Sequence, residues 1–258
     1  MGSRFLGTRY CACLYDRGGN MNWLARLEVD RETARAERIS DSYAWHKKLW
    51  ECFPDVPDQK RKEIGFLTRI DVLEGAFRLW ILSKRRPVRP KWCPAEGFDL
   101  KEISASFLNH RYYAFDLRAN PTKCIDQRGP DGAILLRQNR KRTKGKRVPL
   151  VKPEELRAWL VRKGKIRCRD EKAGVDAPGG FRIVEERPLE ISPMVENHFR
   201  RKVDAAYHGG VQFRGMLEVT DHEKFIESYQ CGIGSAKGFG FGLLLLAPID
   251  LKENNTNP

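Results

Sequence analysis

The stretch "IGFLTRIDVLEGAFRLWILS", Ile64 to Ser83, decides the fold. Two runs of branched and aromatic residues flank Glu74-Gly75. A glycine in so short a connection predicts a β-hairpin, with strands over 64–73 and 76–83. Upstream, "MNWLARLEVD" begins at Met21 and alternates apolar with polar residues, which predicts a strand over 22–29. A charged loop (30–39) and a helix over 41–52 lie between that strand and the hairpin. The order is therefore βαββ.

A second mixed unit follows. "RYYAFDLRANP" (111–121) reads as a strand ended by Asn120-Pro121. "KPEELRAWLVRKG" (152–164) reads as a helix, with Pro153 in its first turn and Gly164 past its end. Strands are expected near 181–187, 194–202 and 211–219. A short helix over 221–230, capped by Asp221, leads into a glycine-rich loop and a last strand, "FGLLLLAPI". Strands outnumber helices. The expected class is α+β: two tandem ferredoxin-like (RRM-like) modules with a C-terminal Gly-rich loop. Sheets of this kind often carry RNA on an open face. The expected division is an N-terminal extension (1–20), a first module plus linker (21–97), a second module (98–251) and a polar tail (252–258). The linker is the basic, proline-bearing "SKRRPVRPKWCPAEG" (83–97).

The 258 residues carry a formal net charge of +14, with 41% hydrophobic residues. A core can form, and the excess charge attracts polyanions, nucleic acid first. No apolar run approaches the roughly 20 residues of a membrane span. The seven cysteines are odd in number and form no CxxC pair, which reads as reduced thiols in a cytoplasmic protein without a disulfide framework or a zinc site.

The cations are clustered. "RQNRKRTKGKRVPL" (137–150) holds seven basic residues and no acid. It is either a solvated charge run or a surface whose self-repulsion an acidic partner relieves. Arg140, Lys141, Arg142, Lys144, Lys146 and Arg147 belong to it. "HFRRKVD" (198–204) adds Arg200, Arg201 and Lys202. The loop "CGIGSAKGFGFG" places Lys237 among five glycines. It is not a P-loop, because it runs from helix to strand and Lys237 precedes Gly238 rather than Ser or Thr. It is a tight connection needing positive φ, with or without contact to an RNA backbone.

"SDSYAWHKKLWECF" (40–53) carries the chemistry. At about 100° per residue, Trp45, Leu49, Cys52 and Phe53 share a core-facing stripe. Tyr43, His46, Lys47 and Trp50 lie roughly opposite. Tyr43 and His46 are one turn apart and can act on one substrate group. Histidine moves protons near neutral pH. The bland alternative is an exposed aromatic face used for packing.

"DSYAWHKKLW" resembles an element of the CRISPR precursor-RNA endoribonucleases of the CasE subgroup, which serve the type I-E Cascade complex. "FDLRANPTK" (115–123), "GKRVPL…PEELRAWL" (145–160), "GGFRIVE" (179–185), "FRGMLEV" (213–219) and "GIGSAKGFGFGLLLLAP" (232–248) resemble later elements of the same family, in order. The resemblance implies two ferredoxin-like modules that bind a CRISPR repeat hairpin and cut the precursor RNA without a metal or other cofactor. The ribose 2′-OH attacks the adjacent phosphate, leaving a 2′,3′-cyclic phosphate and a 5′-OH. Tyr43 and His46 fall on the family's catalytic tyrosine and histidine. His46 is expected to act as general acid to the leaving oxygen, with base as the alternative. Tyr43 positions the 2′-OH or takes its proton. Lys202 or Arg201 is the expected cation for the phosphorane, with His198 and His208 as rivals. The basic run around 140–147, Arg200, Arg201 and Lys237 are the expected RNA contacts. The expected partners are the repeat hairpin, the processed crRNA and the protein subunits of Cascade, with no membrane. A non-catalytic RNA-binding module of the same fold, or a structural nucleoprotein, are the rival readings.

Overall fold

The computed structural model describes residues 22–61, 65–126, 145–165, 168–170, 175–177, 179–192, 195–201 and 204–250, and the side chains of 146, 166–178 and 193–209 are outside that description. The first sheet is built from β1 (Asn22–Asp30), β2 (Leu67–Val72), β3 (Ala76–Ser83) and β4 (Phe98–Ile103). All its pairings are antiparallel, in the order β2-β3-β1-β4. The expected hairpin is present, with Val72 opposite Phe77 and Leu67 opposite Leu82. Between β1 and β2 lie α1 (Arg31–Ala36) and α2 (Ser42–Lys48). The expected charged loop thus contains α1, because the Asp30 carboxylate accepts from the Thr33 amide at 2.6 Å and caps a short helix.

The helix expected over 41–52 is α-helical only to Lys48 and tightens into a 3-10 turn over Leu49–Cys52. Pro54 follows closely, and the residue before a proline is pushed out of the helical region. Phe98–Ile103 was expected to open the second module. It instead lies beside β1, with Trp23 opposite Glu102, so the first sheet extends past residue 97 and the basic stretch 84–97 connects two strands of one sheet.

The second unit begins with α3 (Ala105–Leu108) and β5 (Tyr112–Ala119). A hairpin of β6 (Thr122–Ile125) and β7 (Lys146–Pro149) leads to α4 (Pro153–Lys165). Then come β8 (Cys168–Asp170) paired with β9 (Val175–Ala177), β10 (Phe181–Ile183), β11 (Glu190–Ile191), β12 (Val195–Arg201) and β13 (Asp204–Val219). The chain closes with α5 (His222–Cys231) and β14 (Leu244–Pro248). The main path is β10-β13-β5-β14, again antiparallel. Each sheet places its first strand between its third and its fourth, which is the ferredoxin-like order expected for both modules. Gly164 does not end α4 as expected. It lies within the helix because a Cβ there would meet the Phe181 carbonyl at 2.4 Å, so only glycine lets α4 approach β10 so closely.

Alternation along the strands builds the layers. Leu79 and Ile81 point into a core under α2 with Trp45, Leu49 and Phe53. Leu82 and Leu67 point the other way and join Tyr113, Phe115, Leu117, Trp159 and Phe213 of the second module. Buried side chains thus leave both faces of β3, so this part of the first sheet is not the open platform that some RNA-binding sheets offer. Full burial of an aliphatic side chain such as Leu49 or Leu79 stabilises by about 1.5–3 kcal/mol each. Cys52, Cys93 and Cys124 are free thiols. Cys231 is disulfide-bonded, which departs from the expectation of reduced thiols throughout. Among the described residues no helix is long and apolar enough to cross a membrane.

Candidate active site

α2 starts where the Asp41 carboxylate accepts from the Ala44 amide at 2.7 Å. This cap fixes the first turn and hence the phase of the residues that follow. Trp45 then goes into the core at 3% exposure, while Tyr43 and His46 are only partly buried. The His46 ring lies 5.4 Å from Phe66 and 6.3 Å from Trp50, in an apolar wall. Its Nδ1 is buried with no hydrogen-bond partner among the described residues. Burial without a partner disfavours the imidazolium and lowers the pKa of His46 from its ordinary value. The resting ring is therefore neutral at neutral pH.

Lys47 brings a cation to this face. Its Nζ stands 4.5 Å from the centroid of the Tyr43 ring. Arg61 lies over the Trp50 ring at 5.1 Å. A phenol, an imidazole and an ammonium thus project from one short helix. They can position a hydroxyl, transfer a proton and offset negative charge.

The Gly-rich loop packs on this helix. Its short 3-10 turn, Lys237–Phe239, lies against both α2 and β2. Gly232, Gly234, Gly240 and Gly242 have φ between +73° and +90°. At Gly242 a Cβ would also meet the Ile233 carbonyl at 2.8 Å. The glycines therefore serve the close return of the chain. The Lys237 ammonium donates to the Cys231 carbonyl at the end of α5, so it helps to cap that helix.

The backbone of β12 lies alongside α2, which brings the strand of His198, Arg200 and Arg201 to the helix of Tyr43 and His46. In that hairpin His198 is opposite Tyr207, and His208 is opposite Asn197. Lys202 lies outside the described residues, between Arg201 and Asp204, which pair. Arg140, Lys141, Arg142 and Lys144 also lie outside them. Lys146 and Arg147 sit on β7 opposite Ile125 and Cys124, and Arg147 is exposed. The structure thus brings Tyr43, His46, the glycine loop and β12 together. Of the residues that sequence reasoning did not assign, Lys47 carried a signal, its i, i+4 spacing from Tyr43. Phe66 carried none, because its contact with His46 is made only by the packing of α2 beside β2.

A family model described as CRISPR associated protein matches residues 22–248. The chain belongs to this family. Within it, the chain is 30% identical over 231 residues to the CRISPR system Cascade subunit CasE of Escherichia coli K12, covering 88% of this chain and all of that protein. It is 27% identical to the CRISPR-associated endoribonuclease Cse3 of Thermus thermophilus, with the same coverage. Among solved structures it resembles Thermus thermophilus Cse3 bound to an RNA representing a pre-cleavage complex, with a TM-score of 0.62 and 26% identity over 88% of this chain and all of that one. It also resembles Cas6e of Escherichia coli K-12, with a TM-score of 0.59 and 26% identity over 88% of this chain and all of that one. The CasE resemblance carried by "DSYAWHKKLW" and the elements after it is borne out.

Proposed function

We propose that this CRISPR-associated protein is an endoribonuclease that binds the hairpin of a CRISPR repeat RNA and cleaves the precursor beside it. The observation that carries the reading is the pairing of Tyr43 with a half-buried, neutral His46 one turn along α2, with the Lys47 ammonium over the phenol ring. Substrate class and partner come from the relatives, one named as an endoribonuclease and one as a Cascade subunit.

The reaction is an internal transfer. The 2′-oxygen forms a bond to phosphorus, the bond from phosphorus to the 5′-oxygen breaks, and a proton passes to that oxygen. The products are a 2′,3′-cyclic phosphate and a 5′-OH. Tyr43 orients the 2′-OH or takes its proton. His46 donates to the leaving oxygen. It must be protonated to do so, and the anionic phosphodiester restores that form, because a nearby negative charge favours the imidazolium. A second reading, His46 as base toward the 2′-OH, is favoured by the neutral resting ring. Lys47, Lys202 and Arg201 offset the charge that grows on the phosphorane oxygens. The basic run 140–147, Arg200, Arg201 and Lys237 hold the hairpin, through phosphates and shape more than through bases. No metal takes part. The protein keeps its product, works in the cytoplasm and serves as a Cascade subunit.

The test is incubation with the repeat RNA encoded beside the gene. Cutting is expected to survive excess chelator, and to stop when the ribose before the cut is 2′-deoxy while binding persists. Cutting of the deoxy substrate would make water the nucleophile. Tight binding without any cutting would leave an RNA-binding module only.

A further inference from the structure

Beside the catalytic face, α2, β2 and the Gly-rich loop enclose a cavity of about 260 Å³. That is smaller than the roughly 300–1,000 Å³ of pockets for drug-sized ligands, and suits one planar group. Trp45, Phe77, Phe239 and Ile70 supply apolar and aromatic walls. Arg118 and Asp41 supply opposite charges in the same lining. The Arg118 guanidinium donates to the Ile70 carbonyl at 2.8 Å and lies over the Phe241 ring at 5.9 Å. The nearby carboxylates of Asp71 and Asp116 are both bonded to Arg69 instead. Arg118 is thus a half-buried cation with donors to spare. The Asp41 carboxylate holds the Ala44 amide with Oδ1, which leaves Oδ2 as an acceptor.

The mixture of charges narrows the occupant. Asp41 repels a phosphate, and Arg118 repels a metal ion. An apolar ligand would leave both charges desolvated and unpaired. A planar group with acceptors on one side and donors on the other satisfies both. Guanine has that pattern: O6 and N7 accept from an arginine, and N1–H and the 2-amino group donate to a carboxylate. Adenine places a donor where guanine has O6, and a guanidinium cannot accept from it. The aromatic walls suit stacking of an unpaired base.

We propose that this cavity is a nucleobase pocket selecting guanine in the single-stranded RNA next to the cleaved linkage. The position follows from α2, which lines the pocket with Asp41, Ser42 and Trp45 and carries Tyr43 and His46 on the adjoining face. The proposal rests on the endoribonuclease reading for its location, but its test does not depend on cutting.

The test uses the full chain and repeat hairpins blocked by 2′-deoxyribose at the cut, with each flanking nucleotide in turn set to G, A, C or U. Equilibrium binding is compared for the wild type and Asp41→Ser, a change that keeps an N-cap oxygen and so the helix start. One flanking position should prefer guanine over adenine by roughly tenfold, the size expected of a two-point contact. Asp41→Ser, with its melting temperature retained, should lower that ratio severalfold, leaving the part that Arg118 sets through O6. Inosine, which lacks the 2-amino group, should bind the wild type more weakly than guanine at that position and bind Asp41→Ser no differently. Absence of a guanine-preferring position, or a preference that Asp41→Ser leaves undiminished, overturns the proposal. If the preference behaves as expected but the all-ribose hairpins are never cut, the pocket stands and the endoribonuclease reading falls.

Discussion

Arg69 of β2 holds Asp116 of β5 at two points, Nη1 to Oδ1 at 2.7 Å and Nη2 to Oδ2 at 3.3 Å, so an ion pair joins the two modules. Its Nε donates to Asp71 at 2.8 Å, and Gln212 and Arg214 of β13 complete the shell around Asp116. The Arg69 side chain is only 5% exposed, so the pair is largely shielded from water. Burial alone would raise the Asp116 carboxyl, but the hydrogen bonds and charge of Arg69, with help from Arg214 and Gln212, hold it below the usual carboxylate range.

Asp116→Asn takes one of two carboxylates from the buried Arg69 guanidinium and leaves it Asp71. Losing charge-assisted bonds while one counter-ion remains costs about 1.5–3 kcal/mol. The melting temperature should fall by roughly 3–12 °C for a chain of this size. The pH dependence has a definite sign. A depressed folded pKa gives stability that is complete above the unfolded value, about 3.9, and is lost as pH falls through the folded value. Urea melts from pH 7 downward should show the wild-type advantage over Asp116→Asn constant to about pH 4–5 and shrinking below it. An advantage unchanged at pH 2 would contradict the lowered carboxyl.

His46 predicts the rate profile. Its folded pKa lies below the ordinary 6.5 because of burial. If it donates the proton, kcat/KM, which reports the free enzyme, falls about tenfold per pH unit above that lowered pKa. If it is the base, the same limb rises from acid pH and levels off near neutrality. The declining limb is the expected result, and His46→Ala should flatten it while slowing cutting by roughly 10²–10⁴-fold. Single-turnover cleavage between pH 5 and 9 measures both.

Lys47→Met removes the cation over Tyr43 while retaining a flexible aliphatic chain. The single-turnover rate should drop about a hundredfold, the scale of losing one group that stabilises developing charge. Binding of the blocked hairpin should change far less. Lys47→Arg should recover part of the rate. Equal losses in binding and rate would make Lys47 an RNA clamp instead.

Gly242→Ala tests the loop that braces α2. Its φ is +90°, and the added methyl group would meet the Ile233 carbonyl. A strained backbone position of this kind costs about 1–3 kcal/mol. Gly238→Ala is the control, because nothing lies within 4 Å of a Cβ there and its φ is not positive. A lower melting temperature for the first variant and little change for the second are expected. Equal behaviour would mean that the loop relaxes freely.

Much of this molecule is written locally. The alternation in β1 and across the Glu74-Gly75 turn, the Asp41 cap and the one-turn spacing of Tyr43 and His46 depend on residues within a few positions of each other. Strand and helix periodicity reports such terms directly. So do the charge clusters, because composition is additive. The sequence therefore determined two ferredoxin-like units, a basic character and a candidate proton-transfer pair. Tertiary structure alone decided the rest. That Phe98–Ile103 joins the first sheet depends on pairing with β1, more than seventy residues away along the chain. The neutrality of His46 depends on Phe66 closing over it, and the free donors of Arg118 depend on Arg69 having taken Asp71 and Asp116. Desolvation and ion pairing act through distance in space, and no local pattern of residue types records which distant groups will meet.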